Sequence, residues 1–422
     1  MNTPLSSAAS VVIVGGGVAG LSCARCLHAS GVSFLLLDAG RRVGGRIRTD
    51  IREGYRLDRG FQVLQTAYPE ARRTLDYPRL ALRKFAPGAM VRMRGRFHTL
   101  ADPLRKPRHF LKTLTAPVGT LADRFRLLRL VHRITAVPIE QLFQGPETTT
   151  MAFLRAEGFS RTMIDQFFVP FFGGVCLDRQ LRASNRVLKY VLRMFALGDA
   201  ALPEAGMEEI PRQLDSGLPS EWIQSGVRVR GLTHGRLTVD DGSVLSPRAI
   251  VLATEGPEVQ RLLGLPTGKS VAETCLYFAA ERSRQHHPYL MLDGDGIGPV
   301  NNVAIPSCVS PAYAPTGRSL IAAVVLGHHQ TDSEGLVDRV RDQLRPWFGG
   351  ETHGWIHLAT YRIQHALPDQ SPPTLDPNRC NAMVRPGLFV CGEHLGLPGI
   401  QWSMLSGRKA GDAVIDYLMR SF

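Results

Sequence analysis

Three glycines near the start of the chain carry the first chemistry that can be read. Gly15, Gly17 and Gly20 fall in a G-x-G-x-x-G spacing, after the β-branched apolar run Val11 to Val14 and before a helical stretch, Leu21 to Ala29. That spacing allows a tight turn, a close backbone approach to a pyrophosphate, and close packing of helix on strand. The helix start, with Val18 and Ala19, adds free N–H groups and the positive end of a dipole. Asp38 closes the next strand, Phe34 to Leu37, 18 residues past Gly20, where a carboxylate can accept from ribose hydroxyls. Strand, turn, helix, strand and acid together form a βαβ unit fit for a dinucleotide.

Other reactive residues do not assemble into sites. Cysteines 23, 26, 176, 275, 308, 380 and 391 are scattered and odd in number, which argues for a reducing, cytoplasmic setting. Cys23 and Cys26 form a CxxC, read as small packing residues on the helix after the glycine turn, with a redox pair as the alternative. His353 and His357 stand four apart, but Trp355-Ile356 and Leu358-Ala359 suggest a strand, so no metal site is expected. His286-His287 and His328-His329 read as loop residues. Gly294-Asp295-Gly296-Ile297-Gly298 runs into Pro299 rather than a helix, so it reads as a turn and not a second nucleotide loop. Met1 to Ser10 lacks the cationic start and apolar core of a secretory signal.

The elements that would position these residues are spread along 422 residues, longer than the roughly 250–300 at which one core stops growing, so two domains are expected. Composition excludes collagen-like, disordered and disulfide-scaffold classes, and no uninterrupted apolar run is long enough to cross a membrane. Residues 62–210 read as mainly helical, broken by prolines. Trp222 to Leu252 returns to strands, with a hairpin about Asp241-Gly242-Ser243. Strands Cys275 to Ala279 and Leu320 to Leu326, a helix Ser333 to Trp347, a strand Leu388 to Cys391 and a helix Ser403 to Leu418 follow. The expected boundaries are 1–75, 206–265 and 379–422 for a discontinuous nucleotide-binding domain. Residues 76–205 (helical) and 266–378 (sheet plus helix) then form an inserted one.

The net charge of +13 is local. Between Arg79 and Arg133 stand 14 Lys and Arg against Asp102 and Asp123, a net of +12. A solvated face, an anionic membrane surface and steering of an acidic substrate are the readings. Nucleic acid is not expected, because the stretch carries no binding module and few aromatics for stacking. From residue 104 to 133, Leu104, Phe110, Leu111, Leu114, Leu121, Phe125, Leu128 and Val131 interleave with Arg and Lys. This amphipathic pattern favours peripheral membrane contact.

Arg42-Val43-Gly44-Gly45-Arg46 follows Asp38-Ala39 and, with Val11 to Asp38, gives VVIVGGGVAGLSCA…LLLDAGRRVGGR. This run resembles the flavin-binding amine oxidase, phytoene desaturase and protoporphyrinogen oxidase superfamily. The resemblance implies FAD as cofactor, with Gly44, Gly45 and Arg46 along its pyrophosphate and flavin. It extends over most of the chain. Gly54 to Phe61 is similar to the superfamily's segment beneath the flavin, which brings in Gly60, Phe61 and Gln62. Gly206 to Leu214 resembles the helix re-entering the FAD domain, Val229 falls at the adenine contact, and Ala249 to Thr254 matches a strand of that domain. Gly387 to Glu393 resembles GLFVAGD, which places Gly392 at the cofactor and Glu393, in place of Asp, on a ribityl hydroxyl. Ile400 and Gln401 begin a helix whose N-terminus would face the flavin pyrimidine. The implied fold is α/β: a Rossmann-like FAD-binding domain, discontinuous, with an inserted α+β substrate domain.

On the substrate side the resemblance implies a cavity over the flavin, with Phe61, Gln62, Phe171, Tyr361, His394 and Trp402 as candidates. Trp402 stands where the family has a small residue, and packing away from the flavin is favoured over stacking on it. Gln166 to Asp178 brings Phe167, Phe168, Phe171 and Phe172, as pocket wall or as plain core. Amine oxidases hold a lysine near the flavin, but none of Lys84, Lys106, Lys112, Lys189, Lys269 and Lys409 lies in the Cys275–Ala279 strand, and Gly399 takes the place of an aromatic. The expected reaction is therefore hydride abstraction by FAD from a small lipophilic substrate, polyene or tetrapyrrole-like, with oxygen or a quinone as acceptor. Amine oxidation and redox-neutral polyene isomerisation are the alternatives.

Overall fold

The computed structural model describes residues 10–101, 116–283, 285–327, 333–377 and 379–420. Strands Val11–Val14, Phe34–Asp38 and Ala249–Leu252 are almost wholly apolar and buried, as strands covered on both faces must be. They form the middle of a six-stranded sheet in the order Ile223–Ser225, Phe34–Asp38, Val11–Val14, Ala249–Leu252, Leu388–Val390, Met383–Arg385. The first five run parallel and the last is antiparallel. All three sequence segments expected to share the FAD-binding domain supply strands to it.

Helices Val18–Ala29 and Ile400–Arg420 cover one face and lie close together. Gly407 permits this, since a Cβ there would stand 2.0 Å from the carbonyl oxygen of Ala19. Cys23 and Cys26 belong to the same seam. Burial pushes both thiols up, Cys26 to about 12 with Asp412 as a further cause, so they are packing residues and not a thiolate pair. The other face is covered by the small sheet Val229–Thr233, Arg236–Val239 and Val244–Leu245, which contains the expected hairpin.

A seven-stranded sheet runs Ile356–Pro368, Ser270–Glu281, Arg318–Leu326, Val300–Ala304, Leu290–Asp293, Gly88–Met93, Arg96–Ala101. Side chains alternate along Ser270–Glu281. Leu276, Phe278 and Ala280 join Leu336, Val340 and Leu344 of helix Ser333–Phe348, while Cys275, Tyr277 and Ala279 join the core shared with the six-stranded sheet. Helices Leu121–Ala136, Thr150–Ala156, Val169–Cys176 and Asn185–Leu197 form the remaining layer, around Leu130, Leu154, Phe168, Phe172 and Leu188.

The stretch 76–205 is thus not purely helical. Its hairpin Gly88–Met93/Arg96–Ala101 turns at Arg94-Gly95, both at positive φ, and edges the seven-stranded sheet. Arg92 is buried there, with its guanidinium 5.5 Å from the ring centre of Phe97.

Candidate active site

The carboxyl ends of the parallel strands converge on one cavity of about 1330 Å³. Dinucleotides bind at this end of an open α/β sheet, where the strand order reverses. After Val14 the chain turns through Gly15, at φ +109, whose N–H donates to the Leu37 carbonyl at 2.7 Å. Gly17 caps the Val18–Ala29 helix with no side-chain bond and no acid in the first turn, which leaves its N–H groups for an anion. Gly44 donates to the Gly16 carbonyl at 2.8 Å and draws the second glycine pair against the first.

The fit to a bound pyrophosphate is tested by what a Cβ would meet. At Gly17 nothing lies nearer than the Gly45 Cα at 4.0 Å, and both residues line the cavity. A side chain here would occupy the cradle itself. At Gly20, by contrast, a Cβ would stand 1.9 Å from the Gly15 carbonyl oxygen, so Gly20 serves helix–turn packing and does not line the cavity. Asp38 lines it, with Oδ2 accepting from the Gly16 N–H and Oδ1 from the Gly40 N–H, each at 2.7 Å. Val18, Ala19, Ala39, Gly44, Gly45, Val229, Thr254, Gly392 and Ile400 line the same cavity.

Arg46 ties the cradle to the distant strands. Its guanidinium pairs with Glu393 and donates to the carbonyls of Ala366 and His365, the latter at 3.1 Å. The other Glu393 oxygen accepts from the Gly399 N–H at 2.8 Å. Glu393 lines the cavity, where its two oxygens accept from Arg46 and the Gly399 N–H. His394 lines the cavity half-buried, and desolvation drives its pKa down to about 4, so the imidazole is neutral. Its Nε2 and the Oε1 of Gln62 are buried polar atoms with no protein partner, as expected of groups that face a polar ligand.

The cavity also includes Gly60, Phe61 and Gln62 and an apolar, aromatic wall. Phe167 and Phe171 line it, stacked 5.3 Å apart, with Phe195 edge-on to Phe171 at 5.2 Å. Phe168 and Phe172 point the other way into the helical core, because residues four apart share a helix face and their neighbours do not. The aromatic cluster is therefore half wall and half core.

Three candidates do not reach the cavity. Tyr361 shares the strand face of Ile363 but lies further along Ile356–Pro368, beyond the cavity, where its hydroxyl donates to Asp50 at 2.8 Å and its ring lies edge-on to Tyr277. Trp402 is buried between Phe143 and Tyr190, in the helical core. Gln401 accepts from the Glu70 N–H at 2.8 Å and pins the helix Pro69–Thr74 instead of the cofactor.

One residue that sequence reasoning passed over does line the cavity. Glu273 is buried on Ser270–Glu281, with Oε1 accepting from the Phe61 N–H at 2.8 Å. Burial, only partly offset by that bond, pushes its pKa to about 7. A lone acid inside VAETCLYFAA, in phase with Cys275 and Tyr277, was the available signal. Ser270 and His365, bonded at 2.6 Å, add a second polar pair on the same wall. Among the described residues no cluster of His, Cys, Asp and Glu could hold a metal ion.

A glycine cradle at a strand switch point, continuous with a partly apolar chamber, defines a dinucleotide-dependent oxidoreductase. The chain belongs to the flavin-containing amine oxidoreductase family, whose model matches residues 18–415, and its cofactor is FAD. It is 26% identical over 292 residues to coproporphyrinogen III oxidase of Mycobacterium leprae, a match covering 62% of this chain and 63% of that protein. The fold is similar to an oxidoreductase from Methanosarcina mazei, with TM-score 0.73 at 16% identity, covering 96% and 99% of the two chains. It is also similar to a reduced UDP-galactopyranose mutase, with TM-score 0.70 at 15% identity, covering 96% and 95%.

Proposed function

We propose that this FAD-dependent oxidoreductase dehydrogenates a lipophilic substrate, tetrapyrrole-like or a polyene, and passes the electrons to oxygen or a quinone. The observation that carries this reading is the continuity of the FAD cradle with the chamber walled by Phe167, Phe171, Val175, Leu192 and Phe195. Apolar walls with few polar groups suit a large hydrophobic substrate. Similarity to a coproporphyrinogen oxidase supports the tetrapyrrole option. The test is anaerobic reduction of the bound flavin by coproporphyrinogen III, by phytoene and by a panel of amines. Bleaching of the flavin by either of the first two is expected. Bleaching by amines alone would overturn the reading, as would isomerisation of the polyene only by pre-reduced enzyme.

We also propose that the chamber is entered from an anionic membrane surface. Leu127, Leu128 and Val131 of helix Leu121–Ala136 line the cavity, while Leu121, Phe125 and Leu128 are 65%, 71% and 51% exposed. Arg126, Arg129 and Arg133 flank them, partly paired with Asp123 and Glu157. Leu104, Phe110, Leu111 and Leu114 lie outside the described residues. Among the described residues no helix is long and apolar enough to cross a membrane. Flotation with phosphatidylglycerol vesicles at low salt is expected, and to be lost in Phe125→Asp. Failure of the wild type to float would sink the idea.

A further inference from the structure

Removal of a hydride from a neutral substrate leaves a proton to be placed, and a carboxylate in the cavity wall is the simplest group to receive it. Most acids lining the cavity are already engaged. Asp38 is held by two backbone N–H groups, Glu393 by Arg46, Glu258 by Arg261, and Asp199 by Lys84. Asp369 accepts from both the N–H and the hydroxyl of Ser371. Glu255 sits at the rim near Arg46 and is not enclosed. Glu273 differs from all of these. It is buried, accepts one backbone N–H, and forms no ion pair among the described residues.

Its place is also distinctive. Phe61, which donates to it, follows Gly60, where a Cβ would stand 3.5 Å from Glu273 Oε1. Gly60, Phe61 and Gln62 line the cavity, and Gln62 ties them to the cradle by bonds to the carbonyls of Arg46 and Arg59 at 3.2 and 3.1 Å. Glu273 thus lies against Gly60 and Phe61 in the wall of the cavity. Across from it, Ile363 is its cross-strand partner and also lines the cavity.

We propose that Glu273 is the proton acceptor of the substrate cavity, taking the proton from an N–H or activated C–H group of the substrate as the hydride departs. This rests on the dehydrogenase reading above. One substrate C–H bond breaks with both electrons leaving as hydride, for which bound FAD supplies the two-electron acceptor. A second bond, N–H or C–H, breaks with its electrons forming the new double bond, and its proton goes to the Glu273 carboxylate. The carboxyl later returns that proton to solvent. Glu273 begins each turnover ionised, and a buried carboxylate poised near neutrality suits that role.

The groups around it that could share the titration are accounted for. Cys275 on the same strand is driven upward by burial and then by Glu273 itself. Lys269 lines the cavity at the start of that strand, and His365 on the neighbouring strand is bonded to Ser270. In the loop, Arg59 is bonded to Asp50, and Asp58 to Thr49 and Tyr313. Tyr361, on the neighbouring strand, is bonded to Asp50.

The test is Glu273→Gln in the FAD-loaded protein, reduced anaerobically by coproporphyrinogen III across pH 5 to 9. Glutamine keeps an oxygen for the Phe61 N–H, so flavin content and melting temperature should match the wild type. The wild-type rate should rise with pH to a plateau, with a midpoint near 7. The variant should be roughly 100-fold slower, with a flat profile and unchanged half-saturation. Dithionite should reduce both flavins equally, and Glu273→Asp should recover part of the rate. A variant within about threefold of wild type, or one that keeps the same pH midpoint, overturns the role of Glu273 and leaves the dehydrogenase reading standing. A wild type reduced by amines only overturns both. If the glutamine variant fails to hold FAD, the pH midpoint of Glu273→Asp decides: a displaced midpoint supports the role, and an unmoved one overturns it.

Discussion

Replacing Gly17 by valine is expected to abolish flavin retention while leaving the apoprotein folded. Gly17 has φ −74 and ψ −179, an extended conformation open to any residue, and its carbonyl still receives the Leu21 N–H at 2.9 Å. A Cβ there meets only Gly45, at 4.0 Å, so the chain itself has room. The room is the cradle. Two methyl groups would fill the gap through which the backbone approaches the pyrophosphate, and would shield the N–H groups at the helix start. Overpacking of about 1–3 kcal/mol plus the lost contacts gives a Kd weakened about 100-fold or more. Gly20→Ala is the contrasting variant. Its Cβ would collide with the Gly15 carbonyl, so fold and flavin should go together. Flavin absorbance of the purified proteins, read beside circular-dichroism melts, separates the two. A Gly17→Val protein with full flavin content, or one that is unfolded, would refute the assignment.

The contrast also indicates why some parts were readable in the sequence and others were not. Gly15, Gly17, Gly20, Gly44 and Gly45 act through backbone, over a span of 31 residues, and their requirement for a missing side chain is written directly in the residue type. The buried strands Val11–Val14 and Ala249–Leu252 were legible for a related reason, since both faces demand apolar residues. Trp402 packs away from the cavity as favoured, whereas Tyr361 and Gln401 lie outside it although their elements were right, because which residues reach the cavity depends on packing from elsewhere. Trp402 turns to Phe143 and Tyr190, which lie more than 200 residues earlier. The hairpin Gly88–Met93/Arg96–Ala101 was hidden by its own charge. Arg92, Arg94 and Arg96 fall in the basic run read as a solvated face, a membrane surface or a steering funnel, whereas Arg92 is buried beside Phe97. Glu273 was overlooked for the converse reason, since attention to a missing lysine on that strand passed over an acid that was present.

Arg46→Met is expected to destabilise the protein by about 3 kcal/mol and to weaken FAD binding, chiefly through what it strands and less through what it deletes. Glu393 is only 8% exposed at its side chain and would be left with the Gly399 N–H alone. The Arg46 side chain is 37% exposed toward the cavity, which places the loss at the lower end of the range for a broken buried pair. Two carbonyls, His365 and Ala366, lose their donor as well, and they belong to the strand that carries Ile363 beside Glu273. If stranding dominates, removing the second charge should restore much of the loss. The double variant Arg46→Met/Glu393→Gln is expected to be about 2 kcal/mol more stable than the sum of the single losses predicts. Glutamine keeps an acceptor for Gly399, so the remaining deficit would report the two carbonyls. Urea unfolding of the four apoproteins measures the cycle free of the cofactor's contribution, and flavin titration of the same four measures binding. Additivity within about 0.5 kcal/mol would show that Arg46 and Glu393 do not act as a pair, and the link between the cradle and the strand wall would have to be carried by the carbonyl bonds alone.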